Sequence, residues 1–324
     1  MKSKRENDKL DYQKLLNDYT WLKEKNKIII SPDVDGFLCG LLVSYYLGWE
    51  IVGFYDGSKL LVDKDVQNWR ECVFLDMEIY QKDVRSVGNH LLLYNKNKEP
   101  STWRINFTQC INPNNLRKFD RLHDFKRKYP FGTIHFLICL LENMGKEVKI
   151  SKDAIGIILY ADGVFKSLMN YPENCVDWLN WLSAKELEIF KHFRDAKLSN
   201  IIHSLEEIFR SLKLPKGKLQ LKKISNNTSD IQDKMRNFLR QLSKLTGWEI
   251  NEDNWKTLNL DKLQEPIKIE RDRKEGISSK KYEKVLSKPN LISFSFPSYD
   301  RLEYSIYIPV KRRSRLPSRI SSSR

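Results

Sequence analysis

Apolar and polar positions alternate in blocks along this chain, and the blocks come in two lengths. The short apolar runs read as buried strands: Lys27–Ile30 with its isoleucines, Glu50–Tyr55, Cys72–Leu75 and Leu91–Tyr94. Longer runs suit helices. Leu10, Leu15, Leu16, Tyr19 and Leu22 fall near helical spacing and predict a helix within 9–25, and Phe37–Tyr46 predicts a buried helix that Gly48 ends. Strands separated by helical stretches predict an α/β fold, a mostly parallel sheet flanked by helices. Residues 95–129 are polar, with a turn at Asn112–Asn115, and read as a long connection over the active face. Helices are expected from about Ile134 to Asn143 and around Trp178–Leu182, with an apolar segment Ala154–Ala161 that ends at Asp162-Gly163.

Texture changes further on. Residues 184–213 look strongly helical, and Leu214-Pro215-Lys216-Gly217 marks a boundary. Residues 229–246 make an amphipathic helix, 256–290 are lysine-rich and polar, and Leu291–Phe296 with Leu302–Val310 suggest a hairpin around Pro297–Asp300. The expected organisation is an α/β domain over 1–185, a helical connector over 186–213, a smaller α+β region over 214–310 and a disordered basic tail over 311–324.

Composition adds a partner class. Of 324 residues, 57 are Lys or Arg and 42 are Asp or Glu, a net charge of +15 that favours a polyanion, nucleic acid ahead of membrane. No apolar run approaches membrane-spanning length, and the charged N-terminus lacks a signal-peptide core. The five cysteines are scattered without a C-x-x-C pair, which argues against a zinc ribbon and fits a reducing cytoplasm. No Walker A loop, dinucleotide-binding glycine fingerprint or Gly-x-Ser-x-Gly elbow is present.

Candidate chemistry lies where the apolar runs end. Asp33 and Asp35 follow the first strand in Ser31-Pro-Asp-Val-Asp-Gly36, Asp76 follows the third, His90 precedes the fourth, and Asp162 closes the Ala154–Ala161 segment. Ligands in open α/β sheets bind beyond the carboxyl ends of strands, and carboxylates there can hold a hard divalent cation. Asp33 and Asp35 equally suit an Asx-turn and a helix N-cap. Several acids in one crevice repel one another unless a cation lies between them. Arg85 and Arg104 are candidates for substrate phosphate, His123 and His135 for assisting the site, and Trp103 for stacking on a base.

In this order the motifs resemble the DHH phosphoesterase superfamily, particularly its RecJ-like branch. Ser31–Gly36 matches the family's first motif, Asp76 in Val73-Phe-Leu-Asp76 the second, and Ile158-Leu-Tyr-Ala-Asp162-Gly the fourth. Gly88-Asn89-His90 stands where Asp-His-His is the family pattern, and Pro130–Leu137 looks like the helix between motifs three and four. The resemblance covers roughly residues 27–185. It implies manganese or magnesium, with Asp33, Asp35, Asp76, Asp162, His90 and Asn89 as ligands, Asp76 bridging in the two-metal case. Asp33, Asp35, Asp76 and His90 would carry phosphodiester hydrolysis by a metal-activated water.

Departures from the pattern are specific. Gly88 replaces an acid and Asn89 a histidine, Ile29 and Ser31 stand where relatives place a further ligand, and no Gly-Gly-His signature follows. The expected function is a metal-dependent phosphodiesterase or nuclease acting on nucleic acid, single strands ahead of duplex. Its alternatives are a catalytically degenerate domain that binds nucleic acid or a protein partner, and a hydrolase of a small, cyclic nucleotide. The tail carries six positive charges and no acid within 311–324. Deleting it should weaken nucleic-acid affinity and make the salt dependence shallower, by roughly 0.7–0.9 for each phosphate the tail had neutralised. An unchanged salt slope after truncation would assign the tail another role.

Overall fold

The structure is a computed structural model in which residues 8–184, 209–210, 214–221 and 228–308 are described. The 186–213 connector, apart from Phe209 and Arg210, and the 311–324 tail lie outside the described residues.

Strand β1 (Lys27–Ile30) is the centre of a seven-stranded, mostly parallel sheet. Strands β2 (Glu50–Tyr55) and β4 (Val73–Leu75) pair with it in parallel, one on each side. Two very short strands, β5 (Ser86–Val87) and β6 (Cys110–Ile111), extend the parallel side. On the other side β3 (Leu60–Asp63) returns antiparallel to β2. Strand β7 (Leu263–Gln264) closes that edge, antiparallel to β3. Both faces of β1 are covered, which is why it reads as an unbroken apolar run. Ile28 and Ile30 enter the larger core and Ile29 the smaller core on the opposite face, as strand alternation requires.

Helices flank this sheet. Helix α1 (Tyr12–Asp18) precedes β1, and the remainder of the helix expected over 9–25 is a 3-10 turn at Thr20–Lys23. Helix α2 (Val34–Leu47) is buried almost all round through Ser44 and stops at Gly48, whose left-handed φ of 66° lets its N–H reach the Ser44 carbonyl. The 95–129 connection holds β6 and short helices α3 (Ser101–Asn106), α4 (Pro113–Leu116) and α5 (Arg121–Asp124). Helices α6 (Thr133–Asn143), α7 (Ile155–Tyr160), α8 (Val164–Asn170) and α9 (Pro172–Trp181) follow.

Leu91–Tyr94 is buried but is not a strand. Among the described residues, its one ladder pairing is the bridge between Leu93 and Asp120. The Asn114 side-chain amide meets the Leu91 carbonyl, Leu91 N donates to Glu78, and Arg121 N and Leu122 N donate to the Leu93 and Tyr94 carbonyls, so this backbone finds partners outside the strands of the sheet. Ser86–Val87 takes the expected fourth place in the sheet.

Chain beyond residue 214 is packed into the first sheet as well as forming a second one. Helix α10 (Thr228–Thr246) lays Phe238 edge-on against Phe37 of α2 at 5.3 Å. Trp255 stacks on the same ring, 6.2 Å away and 4° from parallel. The second sheet is antiparallel, in the order β8-β10-β9, from β8 (Lys268–Glu275), β9 (Leu291–Ser298) and β10 (Arg301–Ile308). The hairpin is the one read from the sequence. Strand β8 and helix α11 (Ser279–Leu286) are additions within the lysine-rich stretch. Strand β8 is a charged edge strand with mostly exposed side chains, so it carries no apolar alternation. Among the described residues, no helix is long and apolar enough to cross a membrane.

Trp255 is 1% exposed and touches Phe37 and Gly40, so it welds the late chain to α2. Trp255→Ala should lower unfolding free energy by about 3–5 kcal/mol, the cost of emptying an aromatic site in a close-packed core. Denaturant unfolding checks this. A loss well under 1 kcal/mol would mean that the late segment is not part of the α2 core.

Candidate metal and phosphate site

The loop after β1 forms because Gly36 allows a turn that other residues would block. A Cβ at Gly36 would sit 2.2 Å from the Ser31 carbonyl and hydroxyl oxygens. Asp33 caps α2 from an extended backbone, its Oδ1 accepting from Gly36 N at 3.3 Å. The N-cap reading of this aspartate is therefore literal, while its other oxygen lies 3.6 Å from Lys218 Nζ.

Asp35 does something the spacing did not announce. Its Oδ2 accepts from Thr133 N at 2.7 Å and its Oδ1 from Ile134 N at 2.9 Å, so the carboxyl is forked onto the first turn of α6. The adjacent Gly132 is small because a Cβ there would lie 2.5 Å from Asp35 Oδ2. Burial first, then the charge of Asp162, push the Asp35 carboxyl up to about 8.

Asp76 is delivered by β4 in a left-handed conformation, φ 65°, while its N–H still bonds the Val87 carbonyl at 2.8 Å. Thr133 Oγ1 lies 2.8 Å from Asp76 Oδ1, and Ser31 Oγ lies 2.5 Å from Oδ2. Asp162 has a left-handed φ of 51°. Non-glycine residues rarely adopt this region, and both of these acids face the same cleft. Burial foremost, then the charges of Asp35 and Asp162, raise the Asp76 carboxyl well above the usual range.

His90 stands between them. Its Nε2 is 3.5 Å from Asp162 Oδ2, and its Nδ1 is 3.9 Å from both Asp76 Oδ1 and Glu78 Oε2. Burial opposes its charged form, but the carboxylates, Asp162 first and Glu78 next, outweigh it and raise its pKa. One ligand atom from each of Asp76, His90 and Asp162 fits within a mutual 4.8 Å, a donor set of carboxylate oxygens and imidazole. Asp33 and Asp35 are outside this trio. Asn89 lies beside it, its Nδ2 donating to Asp162 Oδ2 at 2.6 Å and to the Phe131 carbonyl at 2.8 Å.

Glu78 is the acid that sequence reading passes over. It is 3% exposed and accepts from the backbone N–H of His90 at 2.9 Å and of Leu91 at 3.0 Å, and from Asn112 Nδ2 at 2.5 Å. A Cβ on Gly88 would be 2.6 Å from its carboxyl carbon, so Gly88 leaves the space into which Glu78 fits. An acid so soon after Asp76, in an otherwise apolar neighbourhood, is the signal that could have marked it.

Among the described residues, three cavities border these side chains. One of about 170 Å³ lies over Asp33, Asp76, Glu78 and His90 and is walled by Lys218 and Arg271. Another of about 320 Å³ borders Asp33, Asp35 and Asp162, with Lys166, Lys216 and Lys218. The largest, about 690 Å³, borders Asn89, His90 and Asp162, with Lys126, Lys128 and Arg271. The roof is the second sheet, held down where Tyr55 OH meets Ser293 Oγ at 2.7 Å and where Ser305 Oγ bonds the Gly57 carbonyl.

The two arginines chosen from sequence are not brought to this cleft. Arg85 NH1 lies 3.1 Å from Asn26 Oδ1 and 3.5 Å from Glu24 Oε2, beside residues that precede β1, whereas the acids follow it. Arg104 pairs with Glu99 at 2.6 Å and lines a separate cavity of about 570 Å³. Trp103 is packed, 2% exposed, with its Nε1 donating to Asn115 Oδ1 at 3.1 Å, so it cannot stack on a base. His123 bonds Asp120 through Nδ1 at 2.7 Å. His135 is buried in α6, and burial pushes its pKa down to about 3. The cations around the cleft come instead from loops, from α8 and from the second sheet, segments without a motif.

The chain matches no family model, no curated protein and no solved structure.

The raised carboxyl pKa values have a measurable sign. Between its ordinary value of 3.8 and about 8, folded Asp35 keeps a proton that the unfolded chain has released, and Asp76 shifts the same way. Stability of the metal-free chain should therefore fall as pH rises from about 4 to about 8. Thermal unfolding in a chelator, across that window, checks this. A melting temperature independent of pH would mean that both carboxyls are ionised in the folded chain.

Proposed function

We propose that this chain is a divalent-metal-dependent phosphodiesterase acting on nucleic acid, a divergent member of the DHH phosphoesterase superfamily. The observation that carries the reading is the meeting of Asp76, His90 and Asp162, from three separate segments, in a cleft whose outer walls are lysines and an arginine. Carboxylates and imidazole suit manganese or magnesium, and cationic walls suit phosphate. The altered third motif has a physical counterpart, since Glu78 fills the volume left by Gly88. When bound, the ion supplies an activated water and neutralises phosphate charge.

The chain's own residues divide the remaining work. Asp76, Asp162 and His90 hold the ion. Ser31 and Thr133 fix the two oxygens of Asp76. Arg271, gripped by Glu303 and reaching the Asp56 carbonyl at 3.4 Å, presents its guanidinium where the 170 and 690 Å³ cavities both border it. Lys126 and Lys128 extend the cationic wall along the larger cavity, a direction suited to a phosphodiester chain. The net charge of +15 favours a polymer over a small cyclic nucleotide.

A catalytically silent, nucleic-acid-binding domain is the second reading. Asn89 turns its amide N–H group toward Asp162, and Asp35 is spent on the α6 cap, so the ligand set is smaller than the motif order suggests. Hydrolysis of labelled single-stranded DNA, single-stranded RNA and a cyclic dinucleotide with manganese separates the readings. The wild type should hydrolyse a single-stranded polymer, and manganese should raise its melting temperature. Asp76→Asn should abolish the thermal shift and cut turnover by several orders of magnitude. No thermal shift and no turnover, with nucleic-acid affinity equal in the two proteins, would leave the binding domain.

A further inference from the structure

The first-motif loop carries two carboxylates, and neither belongs to the Asp76–His90–Asp162 trio. Asp35 is committed through both oxygens to backbone amides of α6. Asp33 already has a cation. Lys218 Nζ lies 3.6 Å from its Oδ2, and Lys218 borders both the 170 and the 320 Å³ cavities beside the trio.

This lysine is held by its backbone neighbours. Leu219 N donates to the Pro32 carbonyl at 2.8 Å, which pins the Lys218 segment to the loop that carries Asp33. Gly217, at φ 65°, lies so close to α2 that a Cβ would come within 2.4 Å of Val34 Cγ2. Leu219 and Gly217 are buried while Lys218 between them is exposed, so the backbone on both sides is anchored and the ammonium faces the cleft. A lysine held over the acid that would otherwise seek a second metal does the electrostatic part of that metal's work. It neutralises Asp33 and offers an ammonium to a non-bridging phosphate oxygen.

We propose that the site is a one-metal centre in which the ammonium of Lys218, seated on Asp33, takes the place of a second divalent cation and binds the scissile phosphate. The inference rests on the metal-dependent phosphodiesterase reading and adds its stoichiometry and an anion-binding residue.

Manganese content after equilibrium dialysis is the first measurement, because it does not depend on turnover. The wild type should hold one manganese per chain. Lys218→Glu, which sets a second acid beside Asp33, should raise that to two. Lys218→Met should keep the single ion and its thermal shift, lose about a hundredfold in turnover, and recover part of it with added ethylamine. Lys218→Arg should retain more activity than Lys218→Met. A wild type with two manganese ions per chain overturns the inference and leaves the phosphodiesterase reading standing. So does a Lys218→Met protein that hydrolyses phosphodiester within twofold of wild type. A wild type that binds no manganese overturns both readings.

Discussion

Asp35 is the hinge of the arrangement. Its fork onto the Thr133 and Ile134 amides joins the loop after β1 to the start of α6 across nearly a hundred residues of sequence. That one carboxyl positions Thr133, whose hydroxyl then steadies Asp76 from one side while Ser31 holds it from the other. Asn89 is drawn in through the same threonine, 3.2 Å away, and through the Phe131 carbonyl just before the helix. Two close approaches make this possible, Gly36 against Ser31 and Gly132 against Asp35. The interaction is a helix cap in a buried place, and such groups are costly to leave without partners.

The cleft has a floor and a roof of different origin. Its floor is the carboxyl end of the parallel sheet, which brings the acids. Its roof is the antiparallel sheet, which brings Arg271 and Glu303 and rests on the end of β2 and the loops after β2 and β4 through Tyr55–Ser293, Gly57–Ser305 and the Tyr80 N–H to the Ile292 carbonyl at 2.5 Å. Negative groups lie deep and positive groups lie toward the rim. A phosphate entering this field meets cations before it meets the acids.

The parts of this fold that were legible in the sequence are those with an uninterrupted or regularly periodic apolar signal. β1, β2, β4, α2, α6, α10 and the β9–β10 hairpin all have one. The acids were legible because each ends such a run. Leu91–Tyr94 misled because it is a buried loop whose hydrogen bonds go to Glu78, Asn114 and the start of α5, partners no local pattern announces. Strand β8 escaped because its side chains face water, and Lys218 because a single exposed lysine between buried neighbours has no periodicity. Asp35 was legible as an acid, but not as a cap for a helix that begins about a hundred residues later. That relation exists only in three dimensions.

The edge of the main sheet is closed by β7, which follows β3 by some two hundred residues of chain. Synthesis proceeds from the N-terminus, so β3 leaves the ribosome with its outer hydrogen-bonding edge open, and Phe37 emerges without Trp255 to cover it. At about 5–20 residues per second, roughly ten to forty seconds separate the two strands. Through that interval the nascent chain presents an unpaired strand and an uncovered aromatic face, features that favour association with other chains. Completion of the sheet thus waits for β7 and Trp255 to be made, and a chaperone that shields β3 and α2 during the wait would have a defined surface to hold.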